Sequence, residues 1–576
     1  MSLSKQQEAY VNAEGNIVLC ACPGSGKTFA VSEKVKRYLQ GWNKAHCGIA
    51  VLSFTNVAID EIKATIQKEH HISYPHFFGT VDSFIDEIFL RYACSFSPQP
   101  KRPYITFEYI DGINAYWRRD CLQNGCKDDI VSFRWTIDAK TYRGQNLVEC
   151  RPNARGGRPC DQYKRSLAQM GIFFQNDIPT LCYRMLSKHP DIATAIARRY
   201  PIIIIDEAQD TSREQIAFFD LLCEHGAESL DLVGDPDQAI YEWRNATPEC
   251  FVEKMTANGW KTLYLTENRR SSQKICNATA AFSRMLEGKE PNIAVGKSKD
   301  CALRPKLYLL SDEKALDRVR ELFLQDCIQF GIAEKDIAIL TRGRIHSENT
   351  IKNLWKSSEV QLFARASYEW KYGRRKRAFS LCEEALYLMC IDDPEKRVVP
   401  IEQEVEKHVP YQEWKKAVLT VLCGLKSADT VLGEWISELK TFLQSVSLPV
   451  TYREGHEINS VIKIKNTDKE QPDFKTKPLK LFFQSKETNT YVRSSIHGVK
   501  GETYDAILLL ATNIKGNTIT RSLLCSGKLD CEMMRTAYVA MTRPKKYLAV
   551  AILKPKKTAI LDSRFPQITW EYEFVE

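Results

Sequence analysis

Short, densely apolar runs recur along the chain. Residues 16–20, 202–205, the run into Val233, 337–340 and 506–511 are four to six residues long and read as buried strands. Between several of them apolar positions return at helical spacing, as from Lys27 through Tyr38. Buried strands alternating with helices predict parallel sheets wound by helices on both faces, an α/β fold. The stretch 376–486 reads differently, as mostly helical, with 412–425 and 431–446 the clearest cases. No run approaches the roughly 20 apolar residues that cross a bilayer. The first thirty residues lack a basic segment followed by an apolar one. A soluble, cytoplasmic protein without a membrane partner is expected.

Composition refines this picture. The 576 residues are 44% apolar and 27% charged, a globular balance that excludes collagen, coiled coil and wholesale disorder. The 81 Lys and Arg outnumber 72 Asp and Glu, a net charge of +9 that suits a polyanionic partner. Between Lys140 and Arg165, seven basic residues accompany two acidic ones, and the run Trp370-Lys371-Tyr372-Gly373-Arg374-Arg375-Lys376-Arg377 interleaves aromatics with charge. Each run either tracks a phosphate backbone or forms a solvated face. The nineteen cysteines contain no CxxC pair, and the spacings of Cys121, Cys126, Cys150 and Cys160 match no zinc module. Neither they nor His70, His71 and His76 are expected to hold metal, and free thiols are expected throughout.

The densest chemistry follows the first strand. Ala21-Cys22-Pro23-Gly24-Ser25-Gly26-Lys27-Thr28 joins a strand to a helix. Gly24 and Gly26 let the backbone wrap closely, so that N–H groups and the helix N-terminus face the β- and γ-phosphates of a nucleotide. Lys27 would neutralise phosphate charge and the Thr28 hydroxyl would ligate Mg²⁺. A phosphate loop needs a metal-holding acid at the end of another buried strand, and Asp206-Glu207 follows 202–205. Asp206 would hold Mg²⁺ through water, and Glu207 would polarise the attacking water. ATP and Mg²⁺ are the expected cofactors.

Residues 21–28, 206–210 and 233–244 resemble motifs I, II and III of UvrD/Rep-type superfamily 1 helicases. Further segments resemble the remaining motifs in order: 3–9 the Q motif, 53–58 motif Ia, 78–84 the next DNA-contacting element, 265–271 motif IV, 337–342 the strand region after it, 495–501 motif V and 535–543 motif VI. The resemblance implies two RecA-like doubly wound parallel-sheet motor domains with ATP between them, and two mainly helical insertions. Domain 1A would comprise 1–88 and 185–275, insertion 1B 89–184, domain 2A 276–375 and 487–576, and insertion 2B 376–486. It also implies that Gln6 reads adenine, Gln238 senses the γ-phosphate, and Arg270 and Arg543 act as arginine fingers. Phe54, Thr55, Asn56, Thr80 and His497 would contact DNA, with Tyr241 and Trp243 as flat rings for base stacking. Three positions depart from the pattern. Arg269 stands where an aromatic usually stacks on adenine, Glu502 is displaced by one position from the ribose-contacting glutamate, and Asn245 replaces a glycine.

The implied function is an ATP-dependent 3′–5′ helicase or translocase on single-stranded or partly duplex DNA. Size and layout also resemble the helicase subunits of Gabija-type antiphage operons, which pair with an OLD-family nuclease. A stand-alone repair helicase is the alternative, as is a DNA-sensing regulatory ATPase with little unwinding, which the short 376–486 insert keeps open. A fused nuclease is not expected, because 33 residues (544–576) follow Arg543.

Overall fold

Where the apolar runs lie, strands form in which nearly every position is buried, and such strands need cover on both faces. The computed structural model describes residues 3–96, 104–106, 133–138, 141–143, 148–149, 160–169, 171–242, 245–342, 354–371, 373–391, 401–468, 472–483, 491–511 and 519–576. A first six-stranded sheet runs Trp260–Leu265, Asn16–Ala21, Ser229–Gly234, Ile202–Asp206, Ile49–Ser53, Phe77–Thr80, and every neighbouring pair is parallel. Alternation along the pleat sends Ile17, Leu19 and Ile204 to one core with Val31 and Val35, and Val18, Ile203 and Ile205 to the other with Phe84 and Phe218. The register aligns Leu19 with Val233 and Val233 with Asp206. The segments that follow these strands, beginning at Cys22, Asp235 and Glu207, therefore leave from one edge. In open parallel sheets that edge is where ligands bind.

A second parallel six-stranded sheet has the order Val492–Ser495, Ile337–Thr341, Tyr504–Ala511, Pro544–Leu553, Lys306–Leu310, Glu571–Val575. It too carries a core on each face, one around Leu307, Leu509 and Val550 and the other around Tyr308, Leu508 and Ala549. Two doubly wound sheets are thus present, as the apolar runs predict.

The predicted helices of the later insertion are observed at Tyr411–Gly424 and Leu432–Ser445. Their core gathers buried residues from Leu354 to Leu479 around Trp414 and Trp435. Helix Ser358–Lys371, read above with the second motor domain, packs into this core through Val360, Phe363 and Ala364. The earlier insertion contributes helix Cys160–Gln169, a parallel pair Tyr104–Thr106 with Ile172–Phe174, and an antiparallel trio Phe133–Trp135, Thr141–Arg143 and Val148–Glu149. A buried ion pair holds it together, Lys164 Nζ to Asp177 Oδ2 at 2.5 Å, and the other carboxylate oxygen accepts from the Trp135 N–H at 2.9 Å. Cys121, Cys126 and Cys150 lie outside the described residues. Among the described residues no group of three or more metal-ligating side chains is assembled, and no helix is long and apolar enough to cross a membrane.

Candidate nucleotide and DNA site

Strand Asn16–Ala21 ends in a turn that only glycine makes cheaply. Gly24 and Gly26 have φ of +70° and +78°, and helix Lys27–Gln40 begins at once. The loop is gripped from both sides. Gln7, on helix Lys5–Val11, donates through Nε2 to the Ser25 carbonyl at 3.2 Å, while the Cys22 N–H donates to the Leu265 carbonyl at 2.9 Å. A Cβ on Gly24 would lie 2.6 Å from the Cβ of Arg270.

The acidic pair faces the loop. Thr28 Oγ1 donates to Asp206 Oδ2 at 3.1 Å, and the Asp206 carboxyl, fully buried, is pushed up to about 6 by burial and by Glu207 against the pull of Lys27. Glu207 occupies the left-handed region at φ +57°, unusual for a residue with a side chain, which turns its carboxylate toward the loop. Lys27 Nζ lies 2.8 Å from Glu207 Oε1, and Gln209 Nε2 donates to Glu207 Oε2 at 2.6 Å. Burial alone would raise the Glu207 carboxyl, but Lys27 and Lys500 outweigh it and hold it down at about 2.

Beside this pair, Gln209 Oε1 accepts from the Asp235 N–H at 3.1 Å, and Asp235 Oδ2 accepts from Gln238 Nε2 at 2.7 Å. Burial and the neighbouring Asp237 push Asp235 up to about 7. Gln238 Oε1 in turn accepts from Arg543, which stands between helix Glu532–Met541 and strand Pro544–Leu553 and is 4% exposed. Arg270 donates from Nη1 to the Thr542 carbonyl at 3.2 Å; burial, with Arg543 beside it, pushes Arg270 down to about 9. Arg543 from the second sheet's domain and Arg270 from the crossing between the sheets thus bring two guanidiniums to Gln238 and the phosphate loop.

The other nucleotide candidates are placed less directly. Both ends of the Gln6 amide engage Thr266: Nε2 donates to Oγ1 and Oε1 accepts from the N–H, each at 2.9 Å. Arg269 is exposed, and its Nη2 lies 3.1 Å from Glu267 Oε2. Glu502 accepts from the hydroxyl of Tyr504. Pro23, buried, completes the loop with Ser25.

Next to Gln238 the chain enters an aromatic strip. Phe54 and Tyr241 stack with centroids 4.6 Å apart at 24°, and the His497 ring meets Tyr241 edge-on at 6.0 Å. Lys500 Nζ stands 4.4 Å above the Tyr241 ring. Thr55 caps helix Asn56–Ile66, its hydroxyl accepting from the Ala58 N–H at 3.4 Å, and Thr80 accepts from the Ser83 N–H at 3.1 Å where helix Val81–Phe96 begins. Both threonines and the exposed Asn56 stand at helix N-termini on the edge that carries the phosphate loop, positions suited to phosphate oxygens. Trp243 lies outside the described residues.

Several partners escaped the sequence reading. Lys500 Nζ lies 2.5 Å from Asp210 Oδ2 and donates to the Gln238 carbonyl at 3.3 Å. Arg535 donates through Nε to the Ala239 carbonyl at 2.8 Å and pairs with Glu242. Asp237 accepts from Ser283 Oγ at 2.5 Å. With Gln7, Gln209 and Asp235, these residues stitch the site together. Most stand within motif segments, which was the available signal, but their pairings span more than 250 residues in the cases of Lys500 and Arg535.

Comparison with known proteins agrees with this geometry. Residues 3–257 match the UvrD/REP helicase N-terminal domain family. The chain is 26% identical over 357 residues to the Gabija protein GajB of Bacillus cereus (strain VD045), covering 60% of this chain and 61% of that one. It is 22% identical over 389 residues to the ATP-dependent DNA helicase Rep of Buchnera aphidicola (62% and 56%), and 28% over 237 residues to the exonuclease/helicase subunit RexA of Lactococcus lactis (35% and 20%). The matches therefore span less than two thirds of each of these relatives. Residues 3–257 are thus similar to the N-terminal domain of UvrD/REP helicases, and the two parallel six-stranded α/β sheets form two RecA-like domains.

Proposed function

We propose that this chain is an ATP-dependent DNA helicase that moves 3′ to 5′ along single-stranded DNA, uses Mg²⁺, and acts in antiphage defence with a separate nuclease subunit. One observation carries the motor reading. Arg543, on the second sheet's domain, reaches Gln238 beside the phosphate loop, and three residues past Gln238 stands Tyr241, stacked on Phe54. A change in the separation of the two domains is thereby transmitted to both the phosphate side and the base-stacking side.

In this reading Lys27 exchanges the Glu207 carboxylate for the β- and γ-phosphate oxygens of ATP, and Glu207, released, orients and polarises the attacking water. Arg270 and Arg543 meet the charge that develops on the γ-phosphoryl group. Mg²⁺ takes one or two protein oxygens and completes its shell with phosphate and water, so the hydroxyl of Thr28 and carboxylate of Asp206, 3.1 Å apart, suit it. Bound there, Mg²⁺ would neutralise phosphate charge. Gln6, Arg269 and Glu502 flank the nucleotide's base and sugar in this proposal, with Glu502 the weakest candidate because Tyr504 already occupies its carboxylate. Phe54, Tyr241, Trp243 and His497 would face bases, and Thr55, Asn56 and Thr80 phosphates. The likeness to GajB supports the defence role, and the motif resemblance supports the polarity.

The test is steady-state ATP hydrolysis by the whole chain with and without single-stranded DNA, alongside Glu207→Gln. Strong DNA stimulation that disappears in the variant, with ATP binding intact, is expected. Hydrolysis at the normal rate by Glu207→Gln removes Glu207 from the role of base, and no response to DNA removes the motor.

A further inference from the structure

From the second sheet's domain to Glu207 runs a continuous chain of hydrogen bonds in which every donor points the same way. Arg543 donates to Gln238 Oε1. Gln238 Nε2 donates to Asp235 Oδ2 at 2.7 Å, the Asp235 N–H donates to Gln209 Oε1 at 3.1 Å, and Gln209 Nε2 donates to Glu207 Oε2 at 2.6 Å. Bonds aligned in this way polarise one another, and a buried chain has no water to substitute for a broken link. Gln238, Asp235 and Gln209 are all at most 4% exposed.

Gln209 is the link between the two strand ends. Its amide bridges the ends of two neighbouring strands, Ile202–Asp206 and Ser229–Gly234, with the acceptor toward one and the donor toward the other. The space is reserved for it: a Cβ on Gly234 would overlap Gln209 Oε1. Glu207 needs such a brace because its backbone sits in the left-handed region and its other carboxylate oxygen pairs with Lys27. When Lys27 turns to phosphate, Gln209 still holds that carboxylate among the described residues.

We infer that Gln209 is a positioning residue that fixes the orientation of the Glu207 carboxylate and ties it, through Asp235 and Gln238, to the position of Arg543. Closure of the two domains then sets the aim of the base. This inference rests on the reading of Glu207 as the base. Gln209 touches neither nucleotide nor water in this role and acts through Glu207.

The experiment compares Gln209→Glu with the unaltered chain in DNA-stimulated ATP hydrolysis between pH 6 and pH 8.5. The new carboxyl has the same shape. Protonated, it donates to Glu207 and accepts from Asp235 as the amide does; ionised, it presents a second negative charge to Glu207. Asp206, Asp210, Asp235, Lys27 and Lys500 surround the position in both proteins, so the rate ratio cancels them. The expected result is kcat reduced about 100-fold at pH 8.5, the lower end of what a positioned base contributes. The ratio should recover at least tenfold toward pH 6, with KM for ATP within about threefold throughout. Gly234→Ala, which displaces the same amide, should lower kcat at every pH without recovery. A Gln209→Glu ratio that stays constant with pH, or a variant as active as the original at pH 8.5, overturns the inference. Glu207→Gln measured in parallel separates the two failures: hydrolysis surviving in Glu207→Gln removes the base itself, whereas its loss together with a flat Gln209→Glu ratio removes only the brace.

Discussion

The contact between Gly24 and Arg270 offers a sharp test of how closely that arginine must approach the phosphate loop. In Gly24→Ala the new residue keeps φ near +70°, a left-handed conformation that costs an L side chain about 1–2 kcal/mol. Its Cβ would also fall 2.6 Å from Arg270 Cβ and 3.0 Å from Asn268 Oδ1, where ordinary contact begins at 3.4 Å. Arg270 or the loop must retreat by roughly 0.8 Å, the difference between 3.4 and 2.6. Misplacement of a catalytic group by about 1 Å costs on the order of 100-fold in rate. Gly15→Ala supplies the control, because Gly15 sits at φ +82° with nothing within 4 Å of its added Cβ. Both variants should lose stability in thermal unfolding, Gly24→Ala the more because of its added contact. Only Gly24→Ala should lose about 100-fold in kcat for DNA-stimulated ATP hydrolysis. If the two hydrolyse ATP at the same rate, the arginine does not depend on that close approach and its assignment to the γ-phosphate fails.

Other perturbations read different parts of the site. Tyr241→Ala, which removes the ring stacked on Phe54, should weaken single-stranded DNA binding by about 1–3 kcal/mol in anisotropy titrations while ATP affinity holds; unchanged DNA affinity would assign the ring to packing alone. Lys500→Met leaves the buried Asp210 carboxylate without its cation and should cost roughly 3–5 kcal/mol, most of it recovered in Lys500→Met/Asp210→Asn; no recovery in the double variant would refute the pairing. Asp235, raised by burial and Asp237 to about 7, holds its proton more tightly folded than unfolded, so its ionisation erodes stability as pH rises from about 4 to 7. Asp235→Asn should therefore gain on the unaltered protein across that window in denaturant unfolding and run parallel to it above pH 7; a gap independent of pH would show that Asp235 is ionised throughout.

Much of the fold was legible because its strands are buried on both faces. Residues 202–205 and 506–511 carry almost nothing but aliphatic side chains, and the observed strands Ile202–Asp206 and Tyr504–Ala511 extend them by one and two residues. The phosphate loop was legible for a related reason: Gly24 and Gly26 answer a local backbone demand that sequence displays directly. What sequence could not display is which distant polar groups meet. Lys500 reads as a surface lysine until the second sheet carries it to Asp210, 290 positions away. Gln209 reads as a spacer between two acids until the register of the Ile202–Asp206 and Ser229–Gly234 strands sets its amide between Glu207 and Asp235. Glu502 shows the converse, since its neighbour but one, Tyr504, pairs with the carboxylate that the motif resemblance, offset by one position, associates with a ribose.

The chain crosses from the first sheet to the second just after the edge strand Trp260–Leu265, through Asn268 to Ser272, where the Ser271 hydroxyl and the Ser272 N–H fasten it to the carbonyls of Pro544 and Lys545. Such a crossing is a pivot, and displacement about a pivot grows with radius. Arg270 lies on the pivot itself, so rotation barely moves it. Phe54 follows the strand four places across the sheet, roughly 19 Å away at about 4.8 Å per strand. A swing of roughly 10° would open about 3 Å there. Such a lever would convert a small adjustment beside the phosphate loop into a larger displacement at the aromatic strip.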